Sequence, residues 1–69
     1  MNVERMLTRL SNDGAVIVRW GELPKEANYV KKWAVNTFCF GMIGLSIGDN
    51  LKETVRAAYE DVYGKEGTS

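Results

Sequence analysis

The sequence has no histidine, a single cysteine and a single proline among its 69 residues. Without histidine, acid–base catalysis near neutral pH loses its usual proton carrier, and Cys39 has no imidazole to activate it as a nucleophile. One cysteine cannot form an intramolecular disulfide, and a zinc site would need carboxylates and one thiolate. We therefore predict no catalytic residues, no metal site and no cofactor, and we expect Cys39 to be a buried structural side chain.

Neither sign of charge is in excess, because nine Lys and Arg residues balance nine Asp and Glu residues. Nucleic-acid-binding domains usually carry an excess of Lys and Arg, since phosphate contacts supply most of their affinity. A protein that imitates DNA would carry the opposite excess. The balance argues against both classes, and it also removes the electrostatic repulsion that keeps copies of a small protein apart.

The length of the chain allows one domain, which we place at residues 1–64, followed by a polar tail over 65–69 that is expected to fray. A domain of this size buries only about 60% of the surface that its unfolded chain exposes. Because disulfides and metals are excluded as supports, we expect the domain to self-associate as a homodimer or to rely on a protein partner.

The longest stretch without charge, residues 33–48, is too short and too rich in glycine to be a good membrane span, which usually needs about 18 apolar residues. The first residues lack the features of a signal peptide. Together with the lone cysteine, this predicts a cytoplasmic protein that has no membrane partner.

A helix is predicted near the beginning of the chain, where apolar residues recur at helical spacing: Val3, Met6, Leu7 and Leu10. Asn2 is suited to cap its first turn. The polar run Ser11–Gly14 tolerates left-handed backbone, so the helix should end there.

A second helix is predicted near the end of the chain from one narrow apolar stripe: Leu51, Val55, Ala58 and Val62. Asn50 and Glu53 have the spacing of a capping box, and Gly64 is suited to end the helix.

Three short strands are predicted between the helices, at residues 15–20, at residues 33–40 and around Ile43, Leu45 and Ile47. The intervening glycines match no phosphate-binding motif and indicate turns and close backbone packing. The predicted fold is therefore α+β: an N-terminal helix, a small antiparallel three-stranded sheet and a C-terminal helix. The alternative is a mostly α fold, because residues 24–38 also form an apolar stripe at helical spacing.

Basic and aromatic residues alternate in two places, and they form the predicted partner-binding set: Arg19, Trp20, Tyr29, Lys31, Lys32 and Trp33. Tryptophan, tyrosine and arginine dominate the binding energy of protein interfaces. The same residues could bind single-stranded nucleic acid by stacking, or the tryptophans could belong to the core. Phe38, Phe40 and Met42 add more large apolar side chains than one small core should hide, and such a surplus indicates an interaction surface.

In size, charge balance and layout the chain resembles the small inhibitors that phages encode, among them anti-CRISPR proteins. The resemblance implies a non-enzymatic interaction protein that binds or inhibits a protein partner, such as a host defence complex. The alternative is a small nucleic-acid-binding domain, since double-stranded-RNA-binding domains have the same order of helices and strands. The last helix offers Lys52 and Arg56 but offsets them with acidic residues, which disfavours that alternative.

Overall fold

The computed structural model describes residues 2–22 and 31–64. Along the chain lie helix α1 (Val3–Asn12), strands β1 (Gly14–Glu22), β2 (Lys31–Cys39) and β3 (Met42–Gly48), and helix α2 (Leu51–Tyr63). The predicted α+β fold is confirmed. The mostly α alternative is wrong for residues 31–38, which lie in β2, as their β-branched and aromatic side chains favour. The predicted tail over 65–69 and residues 23–30 lie outside the described residues.

The three strands form one antiparallel sheet in the order β1-β2-β3, so β2 is the central strand. Trp20 lies opposite Trp33, and Cys39 lies opposite Met42. Phe40 and Gly41 connect β2 to β3, and their φ angles of 54° and 74° are both positive. Two successive positive φ angles are typical of the tight turns whose twist matches that of a β-hairpin. The connection therefore holds β2 and β3 in fixed register.

Both helices begin at the predicted caps. The side-chain oxygen of Asn2 accepts a hydrogen bond from the backbone N–H of Arg5 at 2.8 Å. That of Asn50 accepts one from the N–H of Glu53 at 3.0 Å. Each bond satisfies one of the amides that a helix leaves unpaired at its first turn. Helix α2 ends at Gly64, whose φ of 84° is in the left-handed region.

Both helices pack against the same face of the sheet. Helix α1 lies against β1 and against α2, while α2 lies against β2 and β3. The core between the layers consists of seven buried side chains: Met6, Leu10, Val35, Cys39, Val55, Ala58 and Tyr59. Val16 and Val18 of β1 pack against this core from the sheet side. The fold is thus two layers, with the helices covering one face of the sheet.

Helix α2 approaches β3 so closely that the strand has only small residues beneath it, namely Gly44, Ser46 and Gly48. A Cβ atom added at Gly48 would lie 2.5 Å from the hydroxyl oxygen of Thr54. A Cβ added at Gly44 would lie 2.6 Å from that of Thr37 on β2 and 3.0 Å from a carboxylate oxygen of Asp61 on α2. Contacts this short force a neighbour to move, so the two glycines allow the close packing of α2 on β3.

Polar contacts join the end of α1 to the end of α2. The guanidinium of Arg9 lies 4.1 Å from the ring centre of Tyr63 and donates a 2.6 Å hydrogen bond to the hydroxyl of Tyr59. The Tyr63 hydroxyl donates to the carboxylate of Asp13. Burial and this hydrogen bond raise the pKa of Tyr63 to about 12. The helix layer therefore contains its own network of polar contacts.

Within residues 2–22 and 31–64, neither helix has the length and apolar composition needed to cross a lipid bilayer.

Candidate functional site

The face of the sheet opposite the helices is covered by no helix or strand of the described residues. We call this the open face and define it by ten residues: Ala15, Ile17, Arg19, Lys32, Ala34, Asn36, Phe38, Ile43, Leu45 and Ile47. Five of its large apolar side chains are 40–79% exposed. Antiparallel sheets that pack on one side usually turn polar residues toward water on the other. The open face departs from that pattern, because most of its side chains are apolar.

Strand β3 shows the departure most clearly. Its side toward the helices carries Met42, Gly44, Ser46 and Gly48, and its open side carries Ile43, Leu45 and Ile47. Ile43 is the most exposed of the three at 79%, followed by Leu45 at 58%. Three of the four large apolar residues of this strand therefore lie away from the core, where folding of the monomer does not explain them; the fourth, Met42, is on the helix side and is 57% exposed.

Polar groups gather at one end of the open face. Arg19 donates a 3.2 Å hydrogen bond to the side-chain oxygen of Asn36. Lys32 forms a 2.9 Å salt bridge with Asp49, which directly follows β3. The opposite end of the face consists of the apolar row Ala15, Phe38 and Ile43. The surface thus has an apolar end and a charged end, and its basic residues are partly neutralised.

The predicted partner-binding residues divide between the two faces of the sheet. Trp20 and Trp33 contact each other on the helix side, with ring centres 5.0 Å apart, and Trp20 is 50% exposed. Lys31 lies next to Trp33 at the end of β2 and is exposed. Arg19 and Lys32 lie on the open face. These five residues therefore form two surfaces, and Tyr29 lies outside the described residues.

Cys39 lies in the core with 1% of its surface exposed. Its thiol donates a 3.3 Å hydrogen bond to the backbone carbonyl of Leu10. A side chain enclosed between α1 and β2 cannot contact a substrate in solution. This placement agrees with the structural role predicted for the cysteine.

The sequence prediction did not include the β3 side chains of the open face in the binding set. The alternation of Ile43, Leu45 and Ile47 with small residues was visible and correctly predicted a strand. Alternation identifies which residues share a face but not which face the helices cover. The surplus of apolar residues was a second signal, and Phe38, Phe40 and Met42 are all exposed as that surplus indicated.

Comparison with known proteins identifies no relative: no protein-family model, no curated protein and no solved structure matches the chain significantly.

Proposed function

We propose that this chain is a non-enzymatic interaction protein and that it binds a protein partner through the open face. The observation that carries the proposal is the distribution of residues in β3, where Ile43, Leu45 and Ile47 lie on the exposed side. Exposed apolar surfaces of this kind are costly unless a partner covers them, and they mark interaction sites. The inhibitory role suggested by the resemblance to phage-encoded inhibitors is a narrower prediction that also requires such a surface.

The composition of the open face favours protein over nucleic acid. Its only aromatic side chain is Phe38, whereas single-strand binding relies on several aromatic platforms within a basic groove. Its basic residues are Arg19 and Lys32, and Lys32 is paired with Asp49. Helix α2 has no uncompensated basic stripe either, since Arg56 lies 3.7 Å from the carboxylate of Glu60. These features support an apolar, protein-like partner.

The test is capture of partners from a lysate of the source organism by three immobilised proteins: the wild type, Leu45→Lys and Ala57→Lys. Both variants add one positive charge, but Leu45 lies on the open face and Ala57 on the exposed side of α2. We expect the wild type and Ala57→Lys to retain the same protein, and Leu45→Lys to lose it. Burying an unpaired lysine in an apolar contact should weaken binding by at least ~2 kcal/mol, as hot-spot changes do.

Two further measurements separate the alternatives. Trp20→Ala tests the tryptophan pair independently, because Trp20 lies on the other side of the sheet. Repeating the capture at high salt distinguishes an apolar protein contact, which should persist, from phosphate contacts, which should be lost. Retention of nucleic acid at low salt that is abolished by both high salt and nuclease would contradict the proposal.

A further inference from the structure

We infer that the partner on the open face is a second copy of this chain, stacked sheet against sheet with β1 of each copy over β3 of the other. The inference rests on the proposed function, since it names the occupant of the same surface. It draws on three features of the face: its relief, the position of its charges, and its size relative to the chain.

The side chains of the open face differ in size between its two edge strands, and this difference suits a two-fold dimer of stacked sheets. The two edges differ at the apolar end, where Ile43 on β3 is large and Ala15 on β1 is small; in the next row Leu45 and Ile17 are of similar size. A two-fold axis parallel to β2 places the β3 of one copy over the β1 of the other. Ile43 of each copy then lies over Ala15 of its partner, so that a large side chain meets a small one, as interdigitating sheet faces require.

The same axis places each cross-strand row of residues over the equivalent row of the other copy. The apolar row containing Phe38 faces its equivalent, and the charged end faces the charged end. An axis across the strands would instead set Lys32 against the apolar row, which would bury a charge without a partner. The position of the charged end therefore selects the axis parallel to β2.

One pair of charges at that end is complementary between copies, whereas Lys32, on the central strand, lies over Lys32 of the other copy and is neutralised by Asp49 of its own chain. Arg19 lies on β1, and Asp49 continues the row of β3 on the opposite edge of the same face. Stacking β1 over β3 brings Arg19 of each copy beside Asp49 of the other, forming the same pair twice. The whole chain has no net charge, so long-range repulsion does not oppose the association.

The size of the face suits a reversible dimer. Strands about 4.8 Å apart that rise about 3.3 Å per residue give a three-stranded face of roughly 400 Å² in plan. Two stacked faces therefore bury roughly 800 Å², or somewhat more because side chains roughen the surface, which is below the roughly 1,200 Å² of stable interfaces and is typical of weak, transient ones. We expect a dimer with a dissociation constant in the micromolar range.

The first experiment is sedimentation equilibrium of the full chain over a concentration series, with wild type, Leu45→Lys and Ala57→Lys. The wild type and Ala57→Lys should dimerise equally, and Leu45→Lys should raise the dissociation constant at least ~10-fold. Circular dichroism confirms that each variant is folded. A wild-type protein that remains monomeric, or a dimer that Leu45→Lys leaves unchanged, would overturn the inference.

The second experiment tests the arrangement by mixing two charge-reversal variants, Arg19→Glu and Asp49→Lys. Each variant alone places like charges together at both sites, so its dimer should weaken about tenfold. In the mixed dimer, the introduced glutamate meets the introduced lysine at one site, and the native Arg19 meets the native Asp49 at the other. We expect the mixture to dimerise as strongly as wild type; a mixture no stronger than its components would exclude β1 over β3.

The experiments can disprove dimerisation through the open face without disproving that the face binds a protein. If the chain is monomeric but the lysate experiment still shows a protein retained by wild type and lost with Leu45→Lys, then the open face binds another protein and only the inference is wrong. If Leu45→Lys changes neither the sedimentation nor the captured protein, the open face is not a binding surface, and both proposals are wrong.

Discussion

The two faces of the sheet are built from similar residue types but have different neighbours. On the helix side, Val35 of β2 is fully buried, and Thr37 is 2% exposed. On the open side of the neighbouring strand, Leu45 and Ile43 keep more than half of their surface in contact with solvent. The helix side accounts for the stability of the monomer. The open side has apolar surface that the monomer does not use, so hydrophobicity alone does not identify a core residue.

The largest expected effect comes from the same substitution made in each region. Leu10→Ala removes a fully buried side chain and should lower the free energy of unfolding by about 3 kcal/mol. Leu45→Ala removes an exposed one and should change it by less than ~1 kcal/mol. The measurement is urea denaturation at low protein concentration, because any association would stabilise the folded state. Equal losses in the two variants would mean that the open face is part of the monomer's core.

A smaller effect is expected from adding one methyl group to each side of the sheet. Gly48→Ala places its Cβ 2.5 Å from the Thr54 hydroxyl oxygen, which is itself held by a 2.6 Å hydrogen bond to the carbonyl of Asn50. We expect a loss of about 2 kcal/mol, since overpacking forces backbone or side-chain shifts.

Gly21→Ala is the matched control, because Gly21 lies on the open side and nothing lies within 4 Å of its added Cβ. Replacing glycine there should be neutral or should stabilise the protein by about 0.5 kcal/mol, because alanine has less freedom in the unfolded chain. Both proteins are compared by thermal melting. A tolerated Gly48→Ala would show that α2 can move away from β3, which the close packing described above does not allow.

The smallest expected effect is pH-dependent and confined to the helix layer. Burial and the hydrogen bond to Asp13 raise the pKa of Tyr63 from 10.0 to about 12, so the folded protein keeps this proton where the unfolded chain loses it. By linkage, the contribution of Tyr63 to stability is complete below pH 10 and declines as pH rises toward 12. Tyr63→Phe should cost about 1 kcal/mol at neutral pH through its lost hydrogen bonds.

The same variant should flatten the decline in stability between pH 10 and 12. Melting temperatures of the wild type and Tyr63→Phe across this interval provide the check, and lysine titration affects both proteins alike. Parallel curves would show that Tyr63 keeps its ordinary pKa in the folded state.

The fold was predictable because its local signals agree with one another. Asn2 and Asn50 cap the helices, and the β-branched run in β1 forms a strand. The middle of the chain was ambiguous, since residues 24–38 satisfy a helical stripe as well as a strand pattern. Residues 31–38 form a strand rather than a helix because they pair with strands on both sides. Such long-range pairing is not visible in a local sequence pattern.

The candidate site was less predictable, for a geometric reason. Arg19 and Trp20 are adjacent in sequence, but consecutive residues of a strand point to opposite faces. Lys32 and Trp33 are separated in the same way. A cluster that is compact in sequence is therefore divided in space. The open face, by contrast, consists of residues from three strands. Which side of the sheet remains uncovered depends on where the helices pack.

The close packing of α2 on β3 also has a consequence for how this chain can diverge. Gly44 and Gly48 leave no room for a larger side chain next to Thr37, Asp61 and Thr54, whereas the side chains at positions 43, 45 and 47 lie on the face away from the helices. Substitutions at positions 43, 45 and 47 can thus change the proposed binding surface without changing the packing of α2 on β3. We expect distant relatives to keep small residues at alternate positions of β3 and to vary at the positions between them. The conserved positions would then indicate common descent, and the variable positions would indicate a change of partner.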